Sequence, residues 1–135
     1  MSGWTEFVVA RKSEAQAIAD EINPHEKWPA CDGLKFFGPP QLAPLGEIIL
    51  NRPTTWEDFN ELALGECAFV YELPGELTAA IRMLSDQALE EAVKAWSSRL
   101  AAMKEYSEIK ELQPVLSELR QLAKQAAKAR RPVLL

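Results

Sequence analysis

The sequence predicts an α+β fold in which a small sheet formed by N-terminal, central and C-terminal strands is covered by several helices. Two observations carry this. Between Phe69 and Trp96 the apolar period switches from two to about 3.6. Phe69, Tyr71 and Leu73 alternate with Val70 and Glu72, Pro74 and Gly75 break the chain, and helix-type spacing begins at Leu77, Ala80, Ile81 and Leu84. Apolar runs rich in β-branched and aliphatic residues also stand near both ends, at Phe7, Val8 and Val9 and at Val133, Leu134 and Leu135. With 135 residues, 47% of them hydrophobic, the chain predicts one domain over 1–135.

The first element is a strand over 4–10, dense in aromatic and β-branched residues. A helix should follow, capped by Ser13 with Gln16 completing a capping box and Ala17, Ile18 and Ile22 buried, before Asn23-Pro24 ends it. Five prolines (24, 29, 39, 40 and 44) and two glycines (33 and 38) make 24–44 a long Pro/Gly-rich loop. Pro44 opens a short helix through Ile49, which Asn51-Arg52-Pro53 closes. Thr55 should cap a helix over 56–62 whose first turn is acidic, with Gly65 as its stop. The central strand, 69–73, leads into a helix over 75–84. Ser85 then caps a long helix that buries Leu89, Ala92, Val93, Trp96, Leu100 and Met103. A last helix from Pro114 to about Ala129 buries Val115, Leu116, Leu119, Leu122, Ala123 and Ala126, and 133–135 return as a strand.

Charge is distributed unevenly. Residues 1–50 hold 4 Lys/Arg against 7 Asp/Glu, 51–91 hold 2 against 9, and 92–135 hold 9 against 4, giving −3, −7 and +5 and the overall −5. The basic end (Arg120, Lys124, Lys128, Arg130, Arg131) reads as the solvated face of the last helix, where cations suit the negative end of the helix dipole. No nucleic-acid motif accompanies it, so no nucleic-acid partner is expected. No apolar stretch approaches the roughly 20 residues that span a bilayer, and the first residues lack a signal-peptide pattern, which predicts a cytoplasmic protein without membrane contact. Two cysteines, Cys31 and Cys67, are too few for a disulfide scaffold.

The opening Trp4-Thr-Glu-Phe-Val-Val, the strand-turn-helix beginning at Phe69, the helix following Leu84 and the closing Arg-Pro-Val-Leu-Leu resemble those of small bacterial α+β proteins built in that order. The resemblance covers most of the chain. It implies a bacterial cytosolic origin and the same element order, and it supplies no catalytic residue.

Side chains able to do chemistry gather in the loop, where His25, Glu26, Cys31 and Asp32 fall within eight residues. Zinc sites take four ligands with close pairwise spacing, and one His with one Cys falls short unless Cys67 completes the set. No calcium-loop pattern surrounds the acidic Glu57, Asp58 and Glu61. No nucleotide-binding or serine-hydrolase motif is present. No cofactor is expected.

As a surface the same loop offers Trp28, Phe36 and Phe37, aromatic residues on a backbone stiffened by proline, of the type that anchors protein interfaces. The competing structural reading is that these rings plug the open face of the sheet. The acidic segment around Trp56, Glu57 and Glu61 is a second candidate contact, suited to a basic partner. The sequence therefore predicts a non-enzymatic cytosolic accessory, regulatory or immunity-type protein that acts through protein-protein binding. The alternative is a small thiol- or metal-dependent enzyme centred on His25, Cys31 and Asp32.

Overall fold

The computed structural model describes residues 4–35, 38–65, 68–103 and 108–135. Its architecture is α+β: one five-stranded antiparallel sheet in the order β2-β1-β5-β4-β3, packed with helices. The elements are β1 (Trp4–Val9), α1 (Ala15–Ala19), β2 (Ala30–Lys35), α2 (Pro39–Leu50), β3 (Asn60–Leu64), β4 (Phe69–Glu72), α3 (Gly75–Arg82), α4 (Asp86–Ala102), α5 (Ile109–Ala129) and β5 (Val133–Leu134).

β5 pairs with β1 as its apolar run predicts, and it occupies the middle of the sheet. Val8 pairs with Leu134, Val9 with Val133, and Glu72 with Leu134 from the other side. Strand side chains alternate between faces, so this register sorts the core in two. Phe7, Val9, Leu73 and Val133 face a large cluster built with α2, α3, α4 and α5. Val8, Ala10, Val70 and Leu134 face a smaller one with Ala15, Ile18 and Ala19 of α1. Helices therefore cover both faces, where the sequence suggested only one.

The long helices follow their periodicity except at Met103, expected on the buried face of α4, which is instead its C-cap and exposed because the helix ends at Ala102. Ser85 Oγ accepts from Ala88 N at 3.1 Å to start α4. The indole of Trp96, fully buried, donates to the Gln41 carbonyl at 2.9 Å and ties α4 to α2. Asn51, in the left-handed region at φ 53°, ends α2 as expected.

Four differences from the sequence reading have local causes. The Ser13–Gln16 capping box is replaced by Glu14, whose Oε1 accepts from Arg11 N at 2.9 Å and opens a 3₁₀ turn ahead of α1. The helix then stops at Ala19, leaving Ile22 78% exposed and Ala17 on the solvent side. The 24–44 span is not one loop. It contains a 3₁₀ turn at Pro24–Glu26, all of β2, and the start of α2, which Pro39 opens from its first position.

The helix expected over 56–62 lasts one 3₁₀ turn, Trp56–Asp58, and becomes β3. Thr55 does cap it, accepting from Glu57 N at 3.3 Å, but β4 recruits the following residues as a partner strand. Last, α5 begins at Ile109 and carries Pro114 inside it. Burial of Leu112, fully enclosed and worth about 1.5 to 3 kcal/mol, offsets the proline's cost of about 3. Arg120 likewise leaves the solvated face: it donates to Leu84 O at 3.1 Å and pairs with Asp86 at 3.0 Å, clamping the α3–α4 turn onto α5.

Candidate functional site

The residues of the thiol or metal reading do not converge. His25 sits in the Pro24–Glu26 turn with Nδ1 2.9 Å from Glu6 Oε1. Across the β1–β2 pair Glu6 stands opposite Asp32, while Phe7 stands opposite Cys31. Alternation therefore places Cys31 with Phe7 against the large core, and Glu6, His25 and Asp32 on the other side of the sheet. Burial first, then the carboxylates of Glu118, Asp32 and Glu6, pushes the Cys31 thiol up to about 12. A thiol so protonated at neutral pH is a poor nucleophile and a poor metal ligand. Glu26 is exposed on the same turn as His25. Among the described residues no group of three or more His, Cys, Asp or Glu side chains is placed to hold a metal ion. Cys67 lies outside the described residues.

Trp28 is partly buried and packs against the smaller cluster. Its indole N–H donates to Glu14 Oε2 at 3.0 Å, and this bond, followed by that from the Arg11 backbone, holds the Glu14 carboxyl below its ordinary range. The ring closes the second face beside α1 and uses its polar tip internally. Phe36 and Phe37 lie outside the described residues.

The acidic segment presents a different picture. β3 ends the sheet, with no described strand beyond it. Glu61 pairs with Tyr71 and Leu64 with Phe69, and the register shifts between Glu61 and Ala63. In a regular strand residues 61 and 64 point to opposite faces; the bulge brings both onto the face of Tyr71 and Phe69. Tyr71 is seated against the large core, and the Phe69 ring stacks beside it at 6.3 Å between centroids, with 22° between planes. Beyond Tyr71 the helices no longer cover the sheet, and Phe69 is 50% and Leu64 61% exposed.

No family model, curated protein or solved structure matches the chain.

Function is then read from what this open end of the sheet displays. Trp56, 61% exposed, and Glu57 stand on the turn that leads into β3. Neither Glu57 nor Glu61 has an ion-pair partner among the described residues. A pair of large apolar side chains in register, Leu64 on the edge strand and Phe69, part of an aromatic stack, on its neighbour, thus lies beside the unpaired carboxylates of β3 and the turn before it. Leu64 and Phe69 are the candidate residues that the sequence reading missed. Their one local signal is symmetry about the turn at Gly65, which holds the hairpin through a Gly65 N to Ala68 O bond of 3.0 Å. No described helix is long and apolar enough to cross a membrane.

Proposed function

We propose that this chain is a non-enzymatic cytosolic protein of accessory, regulatory or immunity type, and that it acts by binding another protein at the open end of its sheet. The observation that supports this reading is the in-register pair of Leu64 on the terminal strand β3 and Phe69 on its neighbour β4, both half or more exposed. Large apolar side chains at such a position are costly to leave in water and invite a covering partner. Edge strands also offer main-chain groups for strand addition, with side-chain pockets alongside for specificity.

The carboxylates of Glu57, Asp58 and Glu61 favour a partner with an apolar centre and a basic rim. Steering by the segment 51–91, at 2 Lys/Arg against 9 Asp/Glu, speeds such an encounter at low salt. Trp28 has a supporting place on the second face, where it braces α1.

The test is a pair of variants, Leu64→Lys and Phe69→Lys, used in affinity capture from native lysate beside the parent protein. Exposed substitutions of this kind change stability by about half a kcal/mol or less, whereas loss of an interface anchor removes about 2 kcal/mol or more from binding. The expected result is a partner recovered by the parent protein and lost by both variants, with unchanged melting curves. Recovery of the same proteins by all three refutes the assignment.

A further inference from the structure

A groove of about 250 Å³ runs between α3 and the last turns of α5, on the helical layer and away from the open sheet end. Its walls are two matching helix faces. Gly75, Thr78, Ala79 and Arg82 line it from α3, and Ala123, Ala126, Ala127 and Arg130 line it from α5 and its cap, each set spaced i, i+3, i+4, i+7. Leu73 and Pro132 form the floor at one end, where Arg131 also enters.

The two helices run in opposite directions. Leu73 N donates to Val133 O at 3.0 Å, so α3 starts where α5 ends, and the Arg120 guanidinium reaches Leu84 O, so α3 finishes beside the middle of α5. Arg130 and Arg131 therefore stand at one end of an apolar trough and Arg82 at the other. Seven residues of helix separate Gly75 from Arg82, roughly 10 Å at 1.5 Å per residue. Arg52, Arg99 and Arg120 are all paired with carboxylates. By contrast, the guanidinium groups of Arg82 and Arg130 have no partner among the described residues, and Arg131 is felt by Glu14 only from beyond ion-pair distance. Lys124 and Lys128 extend the cationic surface beside Arg82 along a neighbouring depression.

We infer that this groove is a second binding site, for an acidic amphipathic helix of a partner protein. A helix rises 1.5 Å per residue, so carboxylates at i and i+7 span the same distance as the two arginine ends. An apolar residue at i+3 or i+4 falls between them, over the Ala79, Ala123, Ala126 floor. Small side chains on both walls let such a helix approach closely, and the cations at each end fix its register. The site is independent of the open sheet end and opposite to it in charge preference, so the chain can hold two unlike partners at once.

The test uses a fluorescein-labelled peptide of three heptads, with glutamate at the first position, leucine at the fourth and alanine or glutamine elsewhere, and its counterpart with lysine for glutamate. Fluorescence anisotropy should show saturable binding of the acidic peptide alone. Binding should weaken about tenfold or more in Arg82→Glu and again in Arg130→Glu, a factor of ten corresponding to about 1.4 kcal/mol. It should also weaken as salt rises.

A groove-filling variant guards against misfolding as the cause: a Cβ at Gly75 meets no atom within 4 Å, so Gly75→Leu enters the groove from open space and should block the peptide with the melting temperature preserved. Absence of saturable binding, equal binding of the lysine peptide, or indifference to these variants overturns the proposal. Salt-sensitive self-association of the protein that Gly75→Leu abolishes also overturns it, and assigns the groove to the acidic segment of a second copy.

Discussion

Removal of residues 132–135 should abolish cooperative folding, because the shortest strand is also the central one. Val133 and Leu134 are fully buried, each on a different face of the sheet, and together contribute about 3 to 6 kcal/mol at about 1.5 to 3 per side chain. The same segment accepts backbone hydrogen bonds from Ala10, Tyr71 and Leu73 and donates one from Leu135 to Tyr71. At about 0.5 to 1.5 kcal/mol each these add about 2 to 6. The total rivals the whole stability of a typical domain, about 5 to 15 kcal/mol.

Without β5 no described strand bridges β1 to β4, and the sheet separates into two antiparallel pairs, β1–β2 and β3–β4. Leu134→Ala provides a graded version, with an expected loss of about 2 to 5 kcal/mol. In urea followed by far-UV circular dichroism this moves the midpoint down by about 1 to 2.5 M at a slope near 2 kcal/mol/M. A truncated chain that still unfolds cooperatively at the parent midpoint refutes the central placement of β5.

Three further outcomes follow from single contacts. Trp96→Ala should cost about 3 to 5 kcal/mol by urea denaturation, since it empties a fully buried indole site and removes the hydrogen bond that ties α4 to the Gln41 carbonyl of α2; a stable variant shows that the ring is not core. Gly65→Ala should lower the melting temperature by an amount equivalent to about 1 to 3 kcal/mol, because its Cβ comes within 2.6 Å of the Ala19 carbonyl carbon, and an unchanged melting curve contradicts this packing of the hairpin on α1. Cys31, its thiol raised to about 12, should resist iodoacetamide at pH 8 in the folded protein and react in urea, as mapped by mass spectrometry. Because its folded pKa lies above the unfolded value of about 8.5, the associated stability is complete below that pH and is lost as pH rises toward 12, a decline that Cys31→Ser should reduce.

What the sequence reveals of this fold depends on how many neighbours each element needs. α4 and the body of α5 are written in their own periodicity, β4 in apolar alternation, and β1 and β5 in short apolar runs, because each buries these side chains wherever it docks. β2 is different. Ala30, Cys31, Asp32 and Gly33 have little strand propensity, and only pairing with β1 orders them. β3 is legible neither as strand nor as helix, since its bulge puts two consecutive residues, Leu62 and Ala63, toward the smaller cluster and breaks the alternation.

The same bulge hid half of the candidate site. Glu61 and Trp56 are visible as an acidic, aromatic segment, but Leu64 joins them only through a register set by Phe69. His25 and Cys31, six residues apart, look like a pair in sequence and are separated by the sheet itself. The arginine groove depends on two helices far apart in the chain, and a basic tail is all that the sequence shows of it.

The most direct measurement for binding at the open sheet end is site-specific photo-crosslinking in native lysate, with p-benzoylphenylalanine at position 64 or 69 and, as a control, at position 22. Ile22 is 78% exposed, more so than Leu64 at 61%, and follows α1, which packs on the opposite face of the sheet. Discrete adducts from 64 and 69, identified as one protein with a basic face, lost as salt rises and absent from 22, are the predicted result. Equal labelling from 22, or no adduct from 64 and 69, contradicts it.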